Sequence, residues 1–170
     1  MAAVLASTYP DVYAAIGVHS GLPFGVAHDL ASAFAAMKHG ATMSSETEPV
    51  RMNAVPAIVF HGDRDTTVDP CNGAAVVAQF IGTGARVRDT ESDTPRANVE
   101  RGSVSGGRTY TRTVFTNAEG RVIAEQWMVH GAGHAWFGGD PAGSYTDPSG
   151  PDASDHMLRF FSACARSAIN

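Results

Sequence analysis

The sequence is poor in the features that would settle its function at a glance. It has two cysteines, Cys71 and Cys164, far apart in the chain. They have no metal-ligand spacing, so they encode neither a zinc module nor a disulfide-stapled scaffold. One disulfide or two independent buried thiols both fit. Charged residues are only 17% of the chain, and 12 Lys and Arg against 17 Asp and Glu leave a net charge of -5. The basic residues are scattered, with no face to meet phosphates, which argues against a nucleic-acid partner. No apolar run approaches the length that crosses a bilayer, so no membrane anchor is expected. The apolar start from Met1 to Leu5 lacks a basic leader and is soon interrupted by Tyr9-Pro10-Asp11, so it reads as a core helix rather than a signal peptide. There is no internal repeat and no linker to split the chain.

The order of the remaining patterns is informative. Residues 1–9 read as a helix with Met1, Val4 and Leu5 on one face, ended by Pro10. Val12 to His19 reads as a buried strand. Asp29 is placed to cap a helix through about Lys38, with Leu30, Ala33, Phe34 and Met37 inward and Gly40 closing it. Residues 41–54 are polar and irregular. Ala57 to Phe60 is a second buried strand, left at His61-Gly62. Asp69 and Pro70 open the next helix, with Ala74, Val77, Ala78 and Ile81 as its apolar positions. Residues 82–107 are rich in Gly, Thr, Ser, Arg and Asp and read as a surface excursion. Tyr110 to Thr116 and Arg121 to Val129 alternate about Asn117-Ala118-Glu119-Gly120, which predicts a β-hairpin. A Gly/Pro/Asp loop follows to about Pro151. A final helix from near Asp152 buries Met157, Leu158, Phe160 and Phe161. Alternating strands and helices imply an α/β fold: a mostly parallel sheet with flanking helices, active groups at the C-terminal strand ends, and one hairpin.

Two phrases sit at such ends. One is His61-Gly62-Asp63-Arg64-Asp65-Thr66-Thr67-Val68, and the other is Gly131-Ala132-Gly133-His134-Ala135-Trp136. Hydrolysis through a hydroxyl nucleophile needs a base beside the hydroxyl, a carboxylate behind the base and donors for the oxyanion. His134 suits the base, since a neutral imidazole titrates near neutrality. Asp65 suits the orienting carboxylate. Asp63 is its rival; closer to the strand end, it is better placed to bond local backbone N–H groups.

The other candidates divide more evenly. His130 and His134 are four apart, a metal spacing on a helix, but here they straddle a Gly-Ala-Gly turn, so a metal-dependent hydrolase stays a minor reading. No cofactor motif is present. His61 reads as a structural strand-end residue. His19 ends a strand near the presumed site and is placed to line it. Trp136 and Phe137 suit either an apolar wall for substrate or ordinary packing. His28, His39 and His156 read as surface residues.

The matching phrases extend beyond the acid and the base. Tyr9-Pro10-Asp11 leads into Ala15-Ile16-Gly17-Val18-His19-Ser20-Gly21, and Gly133-His134-Ala135-Trp136 is followed by Gly138-Gly139. Gly150-Pro151-Asp152-Ala153 precedes Leu158-Arg159-Phe160-Phe161. With these and His61-Gly62-x-x-Asp65-x-x-Val68, nearly the whole chain resembles the poly(3-hydroxybutyrate) depolymerase-type esterases. These are a branch of the α/β-hydrolases that also includes feruloyl and acetylxylan esterases.

The resemblance implies a secreted serine esterase acting on polyester or plant cell-wall esters, without a cofactor. In that family the nucleophile lies in a Gly-x-Ser-Ala-Gly-Gly turn a few residues before the Met that matches Met1. This chain contains no Gly-x-Ser-x-Gly. Ser20 precedes Gly21 after a strand, but it lacks the glycine two residues before it and no helix starts immediately after it. Residues 1–170 are therefore expected to be one partial α/β-hydrolase domain, its C-terminal half, inactive alone. Its first strand would expose an apolar edge prone to self-association. The reading from a different class is a non-catalytic binding module derived from the same fold.

Overall fold

The structure, a computed structural model, describes residues 1–40, 55–85 and 94–169. The irregular stretch expected over residues 41–54 lies outside these. In chain order the elements are α1 (Ala2–Thr8), β1 (Ile16–His19), α2 (Leu30–His39), β2 (Ala57–Gly62), α3 (Cys71–Ala85), β3 (Arg96–Ser103), β4 (Thr109–Thr116), β5 (Val122–Val129), β6 (Trp136–Phe137), β7 (Thr146–Asp147) and α4 (Ala153–Ile169). Five strands form one sheet in the order β1-β2-β5-β4-β3. β1, β2 and β5 run parallel, and β4 and β3 continue the sheet antiparallel. The chain has an α/β fold, with a separate parallel pair formed by β6 and β7.

Side-chain alternation splits the core in two. Ile16, Val18, Ala57, Val59 and Ala124 face one way, onto Ala3 and Ala6 of α1 and Val76, Val77 and Phe80 of α3. Ile58, Phe60, Trp127 and Val129 face the other way, onto Ala153, Met157 and Phe160 of α4. Strand β2 is buried along its whole length. A strand covered on both faces reads as an unbroken apolar run, which is why it stood out in the sequence. The hairpin of β4 and β5 turns at Asn117–Gly120, with Gly120 at φ 76°.

Several faces differ from those the periodicity implied. Helix α1 buries Ala3, Ala6 and Ser7 and leaves Met1 and Val4 exposed, because only small side chains fit against the sheet there. β1 begins at Ile16, with Val12 exposed. In α2 the capping box of Asp29 and Ser32 forms as expected, but Leu30 and Phe34 are exposed and only Ala36 is buried. Hydrogen bonds hold this helix instead: Asn72 Nδ2 donates to Ala36 O and the Asp69 N–H donates to Met37 O. α3 packs through Val76, Val77 and Phe80, while Ala74 and Ala78 face out. In α4, Met157 and Phe160 are buried, Phe161 is half-buried and Leu158 is exposed. Cys71 and Cys164 are both free thiols.

The larger differences are two polar features. The expected excursion over residues 82–107 contains the end of α3 and the whole of β3. β3 is a sheet-edge strand exposed nearly throughout, so it carries no apolar alternation. The second feature is Glu125, 2% exposed on the face toward α4. Arg112 donates to both of its oxygens at 2.9 and 3.1 Å, and Arg159 of α4 does so at 2.7 and 3.1 Å. Trp127 Nε1 adds a bond at 3.2 Å, and the Arg112 guanidinium lies 5.4 Å from the Trp127 ring centre. Burial pushes the Glu125 carboxyl up, but the two guanidinium groups outweigh it and hold the group below the usual range. Charged residues this deep persist only when paired in this way.

Candidate active site

The parallel strands β2 and β5 are neighbours, so the loops that follow them leave the sheet side by side. Backbone bonds join the two loops. The Asp63 N–H donates to Val129 O at 3.1 Å, and the Arg64 N–H donates to Ala132 O at 3.0 Å. Gly62 allows this approach, because a Cβ there would collide with the Ala132 carbonyl oxygen. Its requirement is space rather than dihedral freedom.

The joined loops bring Asp65 and His134 into contact. His134 Nδ1 lies 2.8 Å from Asp65 Oδ2, across 69 positions of sequence. Asp65 has a fully buried side chain, and His134 is about one-third exposed. Asp65 Oδ1 accepts the N–H groups of Thr67 and Val68, both at 2.9 Å. Burial raises the Asp65 carboxyl, but these backbone donors and the His134 bond overcome that, so it stays ionised at neutral pH. An ionised carboxylate only accepts, which places the proton on His134 Nδ1 and leaves the Nε2 lone pair open. Among the described residues Nε2 has no hydrogen-bond partner.

Asp63 forms a second pair in parallel. Its Oδ1 accepts the Gly131 N–H at 2.6 Å, and its Oδ2 lies 3.0 Å from His130 Nδ1. The expectation of local turn bonds is thereby corrected: its partners are 67 and 68 positions away, on the neighbouring loop. His130 and His134 each face their own carboxylate and do not converge. Among the described residues no group of three His, Cys, Asp or Glu side chains is disposed to hold a metal ion.

Beneath this layer His61 is buried, with Nε2 2.9 Å from Val68 O and 3.5 Å from Asp65 Oδ2. It supports the turn that presents Asp65. His19 lies under Trp136, stacked at 4.8 Å, with Phe60 and Phe137 on its other sides. Its Nε2 accepts the Phe137 N–H at 3.2 Å. Burial and the nearby imidazoles push His19 down to about 4. Trp136 is half-exposed two residues beyond His134, and its Nε1 donates to Ser154 Oγ at 3.1 Å.

Ser20 follows β1 in a left-handed conformation at φ 48°, and its buried Oγ has no hydrogen-bond partner among the described residues. His156 is not a surface residue: it is half-buried, its ring tilted against Trp127 at 4.2 Å. The sequence signal for that was its i, i+4 spacing to Phe160 on the last helix.

A buried, ionised carboxylate behind a partly exposed imidazole with one open nitrogen is a general-base arrangement. Residues 1–104, which include β2 and Asp65, match the family described as Esterase PHB depolymerase. The chain is also 31% identical over 144 residues to the Poly(3-hydroxyalkanoate) depolymerase C of Paucimonas lemoignei. That similarity covers 79% of this chain and 32% of the relative, so the chain spans about a third of that protein's length. Matched by the family over more than half of its residues, the chain belongs to the PHB depolymerase esterases.

Proposed function

We propose that the chain carries the acid–base part of a serine carboxylic-ester hydrolase, with His134 as general base and Asp65 as its orienting carboxylate. The observation that supports this most is the 2.8 Å contact between His134 Nδ1 and Asp65 Oδ2, which leaves Nε2 free to take a proton. In the reaction Nε2 accepts the proton of an attacking hydroxyl, and the imidazolium returns it to the leaving alcohol. Asp65 holds the tautomer and offsets the imidazolium charge. The hydroxyl is proposed to belong to a serine outside these 170 residues, since no Gly-x-Ser-x-Gly occurs in them. Residues 1–170 are then one partial domain, and the protein to which they belong is secreted.

Substrates are proposed among polyhydroxyalkanoate or plant cell-wall esters. The name of the depolymerase relative favours the first. Trp136 stacked on His19 forms an apolar wall next to His134 and is proposed to contact the acyl or polymer chain. No cofactor is required by this chemistry.

The test has two arms. The isolated chain is offered a chromogenic short-chain ester, and no turnover above buffer is expected. Turnover that disappears in Ser20→Ala would place the nucleophile inside the chain and overturn the assignment. In the second arm the genomic reading frame before Met1 is determined. An in-frame Gly-x-Ser-x-Gly, and an extended protein whose esterase activity falls by roughly 10⁶ in kcat on His134→Ala, is the expected result. A stop codon close upstream favours the binding-module reading.

A further inference from the structure

The Asp63–His130 pair copies the geometry of the Asp65–His134 pair one step along each loop, yet the reaction proposed above leaves it unused. Burial raises the Asp63 carboxyl, but its bonds to His130 and Gly131 overcome that and hold it below the usual range. As an ionised carboxylate it only accepts, so a proton lies on His130 Nδ1, and in the neutral ring His130 Nε2 is the acceptor. That nitrogen lies 2.9 Å from Thr111 Oγ1, so the threonine hydroxyl donates to it. The result is an unbroken line of hydroxyl, imidazole and carboxylate that runs from β4 to the loop after β2. Thr111 sits in mid-strand, paired with Arg101 on one side and Met128 on the other. The two ladders engage the backbone donors around it, so the surroundings offer no nest for an oxyanion. This line is built to hold rather than to react.

What it holds is the start of the segment that carries His134. Asp63 grips that segment at two consecutive residues: the His130 ring through Oδ2 and the Gly131 N–H through Oδ1. Thr111 anchors the same ring from the opposite side, and the His130 N–H donates to Thr109 O at 2.9 Å. Gly131 is left-handed at φ 72°, so the chain reverses at the gripped residue and returns to place His134 over Asp65.

We propose that Asp63 and His130 are positioning residues for His134, fixing the loop geometry in which Nδ1 meets Asp65. This rests on the reading of Asp65 and His134 as carboxylate and base.

The test uses nitrogen-15-labelled chain and the low-field Nδ1–H proton of His134, assigned by its loss in His134→Gln. Solvent exchange of that proton reports the Asp65 contact and needs no catalytic activity. In Asp63→Ala and in His130→Ala, exchange is expected to accelerate roughly tenfold, the factor that one lost hydrogen bond carries. Glu125→Gln destabilises the fold away from the loop and is the control; its His134 signal is expected to match the parent's. If Asp63→Ala does not fold, Asp63→Ser replaces it, since its shorter side chain with one oxygen cannot reach both His130 and Gly131. Folded variants with unchanged exchange overturn the positioning role alone. Equal acceleration in Glu125→Gln also overturns it, because general loosening then suffices. A parent chain with no protected Nδ1–H removes the Asp65–His134 reading itself.

Discussion

Arg159 of α4 reaches into the sheet and takes both carboxylate oxygens of Glu125 on β5, at 2.7 and 3.1 Å. Arg112 takes the same two oxygens from β4. One buried acid thus ties the last helix to the antiparallel side of the sheet. Removing it leaves Arg112 with Glu100 alone and Arg159, 43% exposed, with water. Glu125→Ala is expected to lower stability by about 1–3 kcal/mol, since its partners are left part-exposed rather than buried. Urea unfolding followed by circular dichroism measures it, and a midpoint within error of the parent's would contradict it.

Gly62 makes a second prediction. A methyl group there meets the Ala132 carbonyl, which belongs to backbone and cannot rotate away. Gly62→Ala is expected to push the two loops apart, with a stability loss of about 1–3 kcal/mol. It should also lengthen the Asp65–His134 contact, which a crystal structure of the variant would reveal.

Acid should weaken the fold in two windows. An imidazole in the unfolded chain takes its proton near 6.5, whereas His19 in the fold waits until about 4. His61 and His156 are shifted in the same direction, each chiefly by burial. Between these values the unfolded chain binds more protons, so stability falls as pH drops from about 6.5 toward 4. The His19 share approaches roughly 3 kcal/mol at the lower limit. Asp65 and Glu125 are shifted the other way, so their contribution is present above the unfolded carboxylate range and disappears below it. Urea midpoints at neutral pH, at mid-window and near pH 4 separate the two, and His19→Asn should flatten the first slope. A flat profile through the histidine window would contradict the buried neutral state of His19.

The outer side of β1 yields the last prediction. Among the described residues no strand pairs with it beyond β2, although Ile16 and Val18 are buried beneath it. An unpaired edge of this kind recruits another strand. The isolated chain is expected to self-associate through β1, visible as a rise in mass with concentration in sedimentation velocity. A monomer across the whole dilution series would exclude it.

The site was more legible in the sequence than the faces of the helices. Asp65 and His134 follow buried strands whose apolar runs mark them plainly, and strand ends in a parallel sheet converge by geometry. Their proximity could therefore be read without coordinates. Helix faces depend on what lies opposite. α1 meets the sheet where only small side chains fit, so Met1 and Val4 face outward. α2 is fastened by Asn72 and Asp69, which no hydrophobic period reports. β3 escaped notice because an edge strand exposed on both faces has no alternation to show. Glu125 and Asp63 were obscure for a shared reason. A charge is read as solvated until its partner is known, and Arg159, His130 and Gly131 become partners only through the fold.

Because β5 lies directly against β2, one inter-strand step of about 4.8 Å brings the strand before Asp65 to the strand before His134. Of the elements between the two loops, β4 bears on that interval through Thr109 and Thr111, which hold His130. Substitutions on β3, exposed nearly throughout, are then expected to leave the Asp65–His134 contact unchanged.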